Sequence, residues 1–231
     1  MIKVNGLGVS RIPVNGKETL RVMKNGKLLW SGSGLPAGYT LLEYIENNND
    51  AWINTNYIAN GGMKACIGIM PYDTSKQYIF FGSHNPSSNS SDKTWQRNCI
   101  AINNSNQWEI GKSSYVFKLQ ASAAINVKHD VEFDTIISNT PYAIIDKVKY
   151  TGTFNNGLSL NPITPVYILR DCYLTSSYLK GRIYYAKIYD SNLNLVRDFI
   201  PCKNPNGVCG LYDKVNKVFY GSASATPFTG A

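Results

Sequence analysis

The chain has 231 residues, 43% of them hydrophobic, 12% aromatic and only 16% charged. That size and apolar content suit one sizeable domain with a small appendage, and no run approaches the length of a membrane span. Lys and Arg outnumber Asp and Glu 23 to 15 for a net charge of +8, yet the cations are not interleaved with aromatics, which argues against a nucleic-acid binder. No long amphipathic helical pattern occurs. Runs of Tyr, Ile, Val and Thr separated by Asn and Gly read as strands and turns, so the predicted class is all-β.

Residues 1–33 read as a separate basic β-hairpin arm. Lys3, Arg11, Lys17, Arg21, Lys24 and Lys27 stand against Glu18 alone, a charge of +5 over residues 1–30. Short strands are predicted over 11–14, 19–22 and 28–30, around Asn15-Gly16 and Asn25-Gly26. Asn-Gly favours the two-residue turn that needs positive φ at both positions, so a three-stranded meander is expected. So short a unit buries little core alone. It must lie on the main domain or a partner, through residues such as Arg11, Lys17, Arg21, Lys24, Lys27, Leu29 and Trp30. The opening MIKVNGLGVSRIPV lacks the apolar core of a secretory leader, so export by that route is not expected. Ser31-Gly32-Ser33-Gly34 then reads as a flexible linker.

The main domain spans 34–231. Strands are predicted over 52–58, 63–71, 77–82, 98–103, 107–110, 114–119, 127–137, 142–150, 166–170, 181–190, 193–201 and 217–220. Residues 84–94 form a Ser- and Asn-rich polar loop. This many short strands at turn-separated intervals argue for a two-sheet antiparallel sandwich. No internal repeat is expected.

Five cysteines are present: Cys66, Cys99, Cys172, Cys202 and Cys209. The number is odd and no C-x-x-C occurs. With only His84 and His129 as histidines, a four-ligand zinc site is not expected. Cys202 and Cys209 flank the turn at 203–208 and are close enough in sequence to approach each other. Buried free thiols fit the count better, and with them assembly in a reducing cytosol.

Several separated motifs resemble a known family. LPAGYTLLEYIENNNDAWINTNYI (35–58) is similar to the opening of concanavalin A-like (laminin-G-like) domains common in phage and prophage structural proteins. IFFGS (79–83), VKHDVEFD (127–134), YAIIDKVKY (142–150) and above all the segment 187–231 continue the likeness in order. Residues 47–50 depart from the usual small-residue turn, and Asn56 sits where Asp is common. The resemblance implies a jelly-roll sandwich in a virion, as a head or tail appendage assembled in the host cytoplasm. It implies contact with other virion proteins through the arm, multiple copies or a homo-oligomer, a host-surface glycan as ligand, and neither nucleic-acid binding nor membrane insertion. A purely architectural spacer and a glycoside hydrolase are the alternative readings.

The glucanase branch of that superfamily needs three carboxylates on one strand. Glu132 and Asp134 supply two, but Ile137 stands where the third would be, so no catalytic residues are expected. No nucleophile elbow or phosphate-binding glycine loop occurs. No cofactor is expected. Calcium could be held through oxygens of Asp73, Asn85, Asn89, Asp92, Asp171 and Asp190, though no calcium-loop pattern is present.

Carbohydrate binding needs exposed aromatics with amide and carboxylate partners. Trp95, Trp108, Tyr115 and Tyr173 lie in or beside polar loops, with Asn85 and Asp92 nearby. The loop 84–97 with Trp95 is the predicted recognition edge. Trp52 and Tyr57 are expected in the core. Arg197 and Asp198, adjacent on a strand, point to opposite faces and are expected to hold the turn around Asp213 and Lys214.

Overall fold

The computed structural model describes residues 2–4, 7–14, 17–24, 27–31, 34–73, 78–85, 96–113, 115–136, 140–152, 162–171 and 177–231, with the backbone alone for those within 2–31 and for 85, 96, 113 and 115. The described elements are all strands, and their pairings are antiparallel.

The first four strands, β1 (Ile2–Val4), β2 (Leu7–Val14), β3 (Lys17–Lys24) and β4 (Lys27–Ser31), form their own four-stranded meander. This corrects the expected three strands. The paired ends Val4↔Leu7, Val14↔Lys17 and Lys24↔Lys27 flank Asn5-Gly6, Asn15-Gly16 and Asn25-Gly26. The Asn-Gly dipeptides therefore recur at a constant interval, a short repeat hidden by the divergence of the strands between them. Register aligns Ile2, Val9, Val22 and Trp30 in one row across the sheet. Arg11 lies on β2, Lys17, Arg21 and Lys24 on β3, and Lys27 and Leu29 on β4.

The main domain continues with β5 (Thr40–Leu41), β6 (Ile45–Asn47), β7 (Ile53–Asn54), β8 (Lys64–Pro71), β9 (Tyr78–Asn85) and β10 (Gln96–Ile102). Next come β11 (Gln107–Ser113), β12 (Tyr115–Ser122), β13 (His129–Asp134), β14 (Tyr142–Ile145), β15 (Val148–Thr151) and β16 (Tyr167–Ile168). The chain ends with β17 (Gly181–Tyr189), β18 (Leu195–Lys203), β19 (Cys209–Asp213), β20 (Val218–Tyr220) and β21 (Thr229–Gly230). The smaller sheet has six strands in the order β12-β11-β10-β9-β16-β7, and the larger has eleven, with the path β15-β14-β13-β8-β17-β18-β19-β20. Together they make the expected all-β jelly-roll sandwich.

Alternation places one side chain in two between the sheets. Ile67 and Ile69 of β8, Phe133 of β13 and Ile188 of β17 meet Ile100 of β10 and Ile110 of β11 in one buried cluster. Each such side chain contributes about 1.5–3 kcal/mol on burial. A bulge in β9 sets Phe81 opposite Ile100 and Ile79 opposite Ala101, leaving Phe80 as the extra residue. Both phenylalanines are buried as a result, Phe80 edge-on to Trp108 and Phe81 edge-on to Phe133, each at 5.8 Å.

Several strand expectations change. β9 runs on through His84 and Asn85, expected in the polar loop. Residues 142–150 form the hairpin β14–β15, because Asp146 and Lys147 take φ of 51° and 74°. The Asp146 carboxylate fixes that turn by accepting the Asp130 N–H at 2.9 Å and meeting His129 Nδ1 at 2.7 Å. Residues 52–58 yield only β7, since Asn56 has φ 53° and leaves the sheet. β19 was not expected, because its Gly and Cys next to a turn weaken the strand signal, yet every residue in it is buried.

Cys202 pairs with Gly210, and Cys209 with Lys203. The two cysteines are thus one register step apart and face opposite sides of the sheet. Cys202 packs with Leu35 and Tyr212, while Cys209 joins the core between the sheets. Both are free thiols, and side chains pointing apart cannot be bridged without moving the backbone.

Candidate functional site

The sequence-derived glycan residues do not gather in one place. Trp108 is fully buried, edge-on to Phe80 and to His129 at 5.8 and 5.4 Å. This corrects its assignment as a ligand platform. On β11 the alternation sends Trp108 and Ile110 inward, so proximity to an Asn-rich turn does not expose the indole. Asn85 and Tyr115 end up at the same end of the six-stranded sheet by register, through Asn85↔Gln96 and Lys112↔Tyr115. Trp95, Asp92, Asn89, Tyr173 and Cys172 lie outside the described residues.

Glu132 occupies the outer face of the large sheet. Its carboxylate meets Lys64 Nζ at 2.9 Å and accepts the Tyr142 hydroxyl at 3.0 Å. Burial alone would raise its pKa, but these hydrogen bonds outweigh burial and hold it below the ordinary carboxylate range. Asp134 caps its own turn by accepting the Ile136 N–H. Of the calcium candidates, Asp73 accepts the Tyr78 hydroxyl, and Asp190 Oδ1 takes the N–H groups of Asn192 and Asn194. Among the described residues no group of three or more His, Cys, Asp or Glu side chains is placed to hold a metal ion.

A polar and aromatic constellation does form on the outer face of the six-stranded sheet. Ile79, Cys99 and Ala101 make a small cluster separate from the main core, with Tyr167 packed on it. Gly82, Cys99 and Gly111 stand in register across β9, β10 and β11. The two glycines are required there. A Cβ on Gly82 would lie 2.3 Å from Cys99 Cβ, and one on Gly111 would lie 2.6 Å from both Arg97 Cδ and Cys99 Sγ. The missing side chains let the Arg97 stem lie flat along the sheet.

Charged groups surround this floor. Asn103 donates to Glu109 Oε1 at 2.8 Å, and both side chains are buried. Burial pushes the Cys99 thiol up to about 12, with Arg97 opposing and Asp171 and Glu109 reinforcing the shift. His84, in register with Arg97, is buried, and burial followed by the Arg97 charge pushes it down to about 4. Its backbone is held by Thr164, whose hydroxyl accepts the His84 N–H at 2.7 Å.

The β7 edge of this face carries the aromatic wall. Tyr167 pairs with Asn54 and with Gly82. Trp52 meets Tyr167 edge-on at 4.7 Å. The Arg170 guanidinium lies over the Trp52 ring at 4.2 Å, with Tyr167 at 5.3 Å and Tyr178 at 5.9 Å. Leu169 adopts φ 66°, so Ile168 and Leu169 both turn into the core and Arg170 turns out. Trp52, expected in the core, is buried, but it packs against Tyr167 and Arg170 rather than in the main cluster between the sheets. Nothing local in the sequence marks the pairing of Trp52 with Arg170.

No protein-family model matches the sequence, and no curated protein matches it. Solved structures do match the fold. A proposed carbohydrate-binding protein from Bacteroides ovatus is 9% identical, with a TM-score of 0.60 over 100% of this chain and 70% of that one. The CBM40 domain of a Ruminococcus gnavus IT-sialidase, bound to alpha2,3 sialyllactose, is 11% identical, with a TM-score of 0.48 over 65% of this chain and 90% of that one. Domains LG4-5 of the mouse laminin alpha1 chain are 11% identical, with a TM-score of 0.47 over 81% of this chain and 50% of that one. At such identities the likeness is one of fold.

Proposed function

We propose that the protein is a non-catalytic glycan-binding sandwich, displayed on a phage particle by its N-terminal four-stranded unit. The observation that carries the glycan reading is the outer face of the six-stranded sheet. Tyr167 offers a half-buried aromatic wall on the Ile79, Cys99 and Ala101 cluster, with the Arg170 guanidinium 5.3 Å from its ring centre as the polar group beside it. A sugar ring presents an apolar face and a rim of hydroxyls, and such a mixed surface matches both. The Bacteroides ovatus protein, whose fold spans this whole chain, is a proposed carbohydrate binder. The virion setting rests on the sequence resemblance across 35–58 and 187–231. The absence of catalysis is supported by Glu132, whose ion pair with Lys64 removes it from acid chemistry.

Binding of the full chain to a panel of bacterial surface polysaccharides, with wild type and Tyr167→Ala compared, tests the glycan reading. Wild-type binding that is lost in the variant supports it. Silence across the panel, or binding indifferent to Tyr167, removes it. Release of reducing ends from any bound glycan would end the non-catalytic part. Deletion of residues 1–33 should abolish incorporation into particles, and incorporation of the truncated chain would end the anchoring part.

A further inference from the structure

We propose that the ligand of the outer-face site carries a carboxylate and that Arg170 grips it through both terminal nitrogens. This rests on the glycan reading and names the class of glycan.

Among the described residues, Arg170, Arg182 and Arg197 stack on aromatic rings. Arg182 lies 4.0 Å above Tyr44, and its Nε donates to Glu46 at 2.9 Å. Arg197 lies 5.5 Å from the Tyr57 ring centre, and its Nε donates to the Thr55 carbonyl at 3.1 Å. Arg170 has the stacking without the acceptor. Among the described residues its guanidinium makes neither a hydrogen bond nor an ion pair, and its Nε is sealed with no partner. The residue as a whole is half-buried, so the accessible edge is the terminal Nη1/Nη2 pair.

Aromatic contacts hold a cation in place but satisfy none of its N–H groups. A guanidinium stays charged at every working pH, and its planar fork matches the two oxygens of a carboxylate. The rings over Arg170 set the plane of that fork before any ligand arrives, which lowers the ordering cost of binding. The neighbouring Tyr167 wall suits the sugar ring that bears the acid. The net charge of +8 favours approach of an anionic polymer. A sulfate or phosphate ester shares the oxyanion chemistry, and the experiment separates these sources.

The test is calorimetric titration of the full chain with uronate- and sialate-bearing oligosaccharides. Each is paired with its methyl ester, and sulfated and neutral oligosaccharides complete the panel. A charge-assisted fork predicts that the acid binds about ten- to a hundred-fold tighter than its ester. Arg170→Gln should bring the acid down to the level of the ester. Arg170→Lys, which keeps the charge and the stem over Trp52 but loses the fork, should lose most of the preference and carries the test if Arg170→Gln does not fold. Equal binding of acid and ester, or an acid preference that survives both variants, overturns the inference and leaves the glycan reading standing. Tight binding confined to sulfated oligosaccharides overturns the carboxylate assignment. Silence of the whole panel, neutral members included, overturns the glycan reading and this inference together.

Discussion

Arg197 Nε lies 3.6 Å from Asp213 Oδ2, and the Asp213 side chain is fully buried. Asp213 also accepts the N–H groups of Asp198 and Val215 at 3.0 Å and the Asn216 amide at 2.7 Å. Lys214 completes the corner by meeting Asp198 at 2.8 Å. One carboxylate thus ties β18, β19 and the turn after it. Removing one partner leaves the others buried without compensation. Asp213→Ala should cost about 3–5 kcal/mol, read as a lower urea midpoint at unchanged slope. A loss below about 1 kcal/mol would show that the network is not what holds this corner.

Gly82 and Gly207 separate two reasons for glycine. Gly82→Ala would press a Cβ to 2.3 Å from Cys99 Cβ and 2.7 Å from the Asn98 carbonyl oxygen. Backbone cannot yield cheaply, so the cost should reach about 3 kcal/mol. Gly207 has φ +82° and nothing within 4 Å, so Gly207→Ala should cost only the left-handed backbone penalty of about 1–2 kcal/mol. Thermal unfolding of the two variants side by side checks the order, and a reversed order contradicts it.

His84 gives the fold a dependence on pH. Burial and Arg97 push its pKa down to about 4. Above the ordinary histidine range, near pH 6.5, both states are neutral and stability is unaffected. Below it the unfolded chain takes up a proton that the folded chain refuses. Stability should therefore fall between roughly pH 6.5 and the folded value, by at most about 1.4 kcal/mol per pH unit. Chemical denaturation of wild type and His84→Gln across pH 4–7 reads the difference. Parallel pH profiles would refute the assignment.

Trp108 should behave as core. Trp108→Ala should cost about 3–5 kcal/mol. Trp108→Phe, which keeps an aromatic ring against Phe80, should fold and bind glycan with unchanged affinity. A selective loss of binding in a stable Trp108→Phe protein would return the residue to the site.

Local pattern carried much of the fold. The alternating runs of β8, β10 and β17 are visible because one face of each is buried and residues two apart share it. The same alternation predicted that Arg197 and Asp198 reach different partners, and they do, at Asp213 and Lys214. It did not reveal the β14–β15 hairpin. Asp146-Lys147 is not a favoured turn dipeptide, and its positive φ values are held by bonds from Asp146 to His129 and Asp130. Nor did it reveal that Trp108 points inward, because composition beside a turn does not say which face is covered.

From its amino acids alone, the chain determined its class, the basic character of its first thirty residues and the approximate positions of most of its longer strands. These depend on near neighbours: side-chain alternation, turn residues and charge. The tertiary structure decided which strands lie side by side, and so which distant residues meet. β16 inserts between β9 and β7, bringing Tyr167 against Trp52 and turning Arg170 onto the same ring. That meeting depends on strand order and on the left-handed backbone at Leu169, and neither leaves a periodic trace in the sequence.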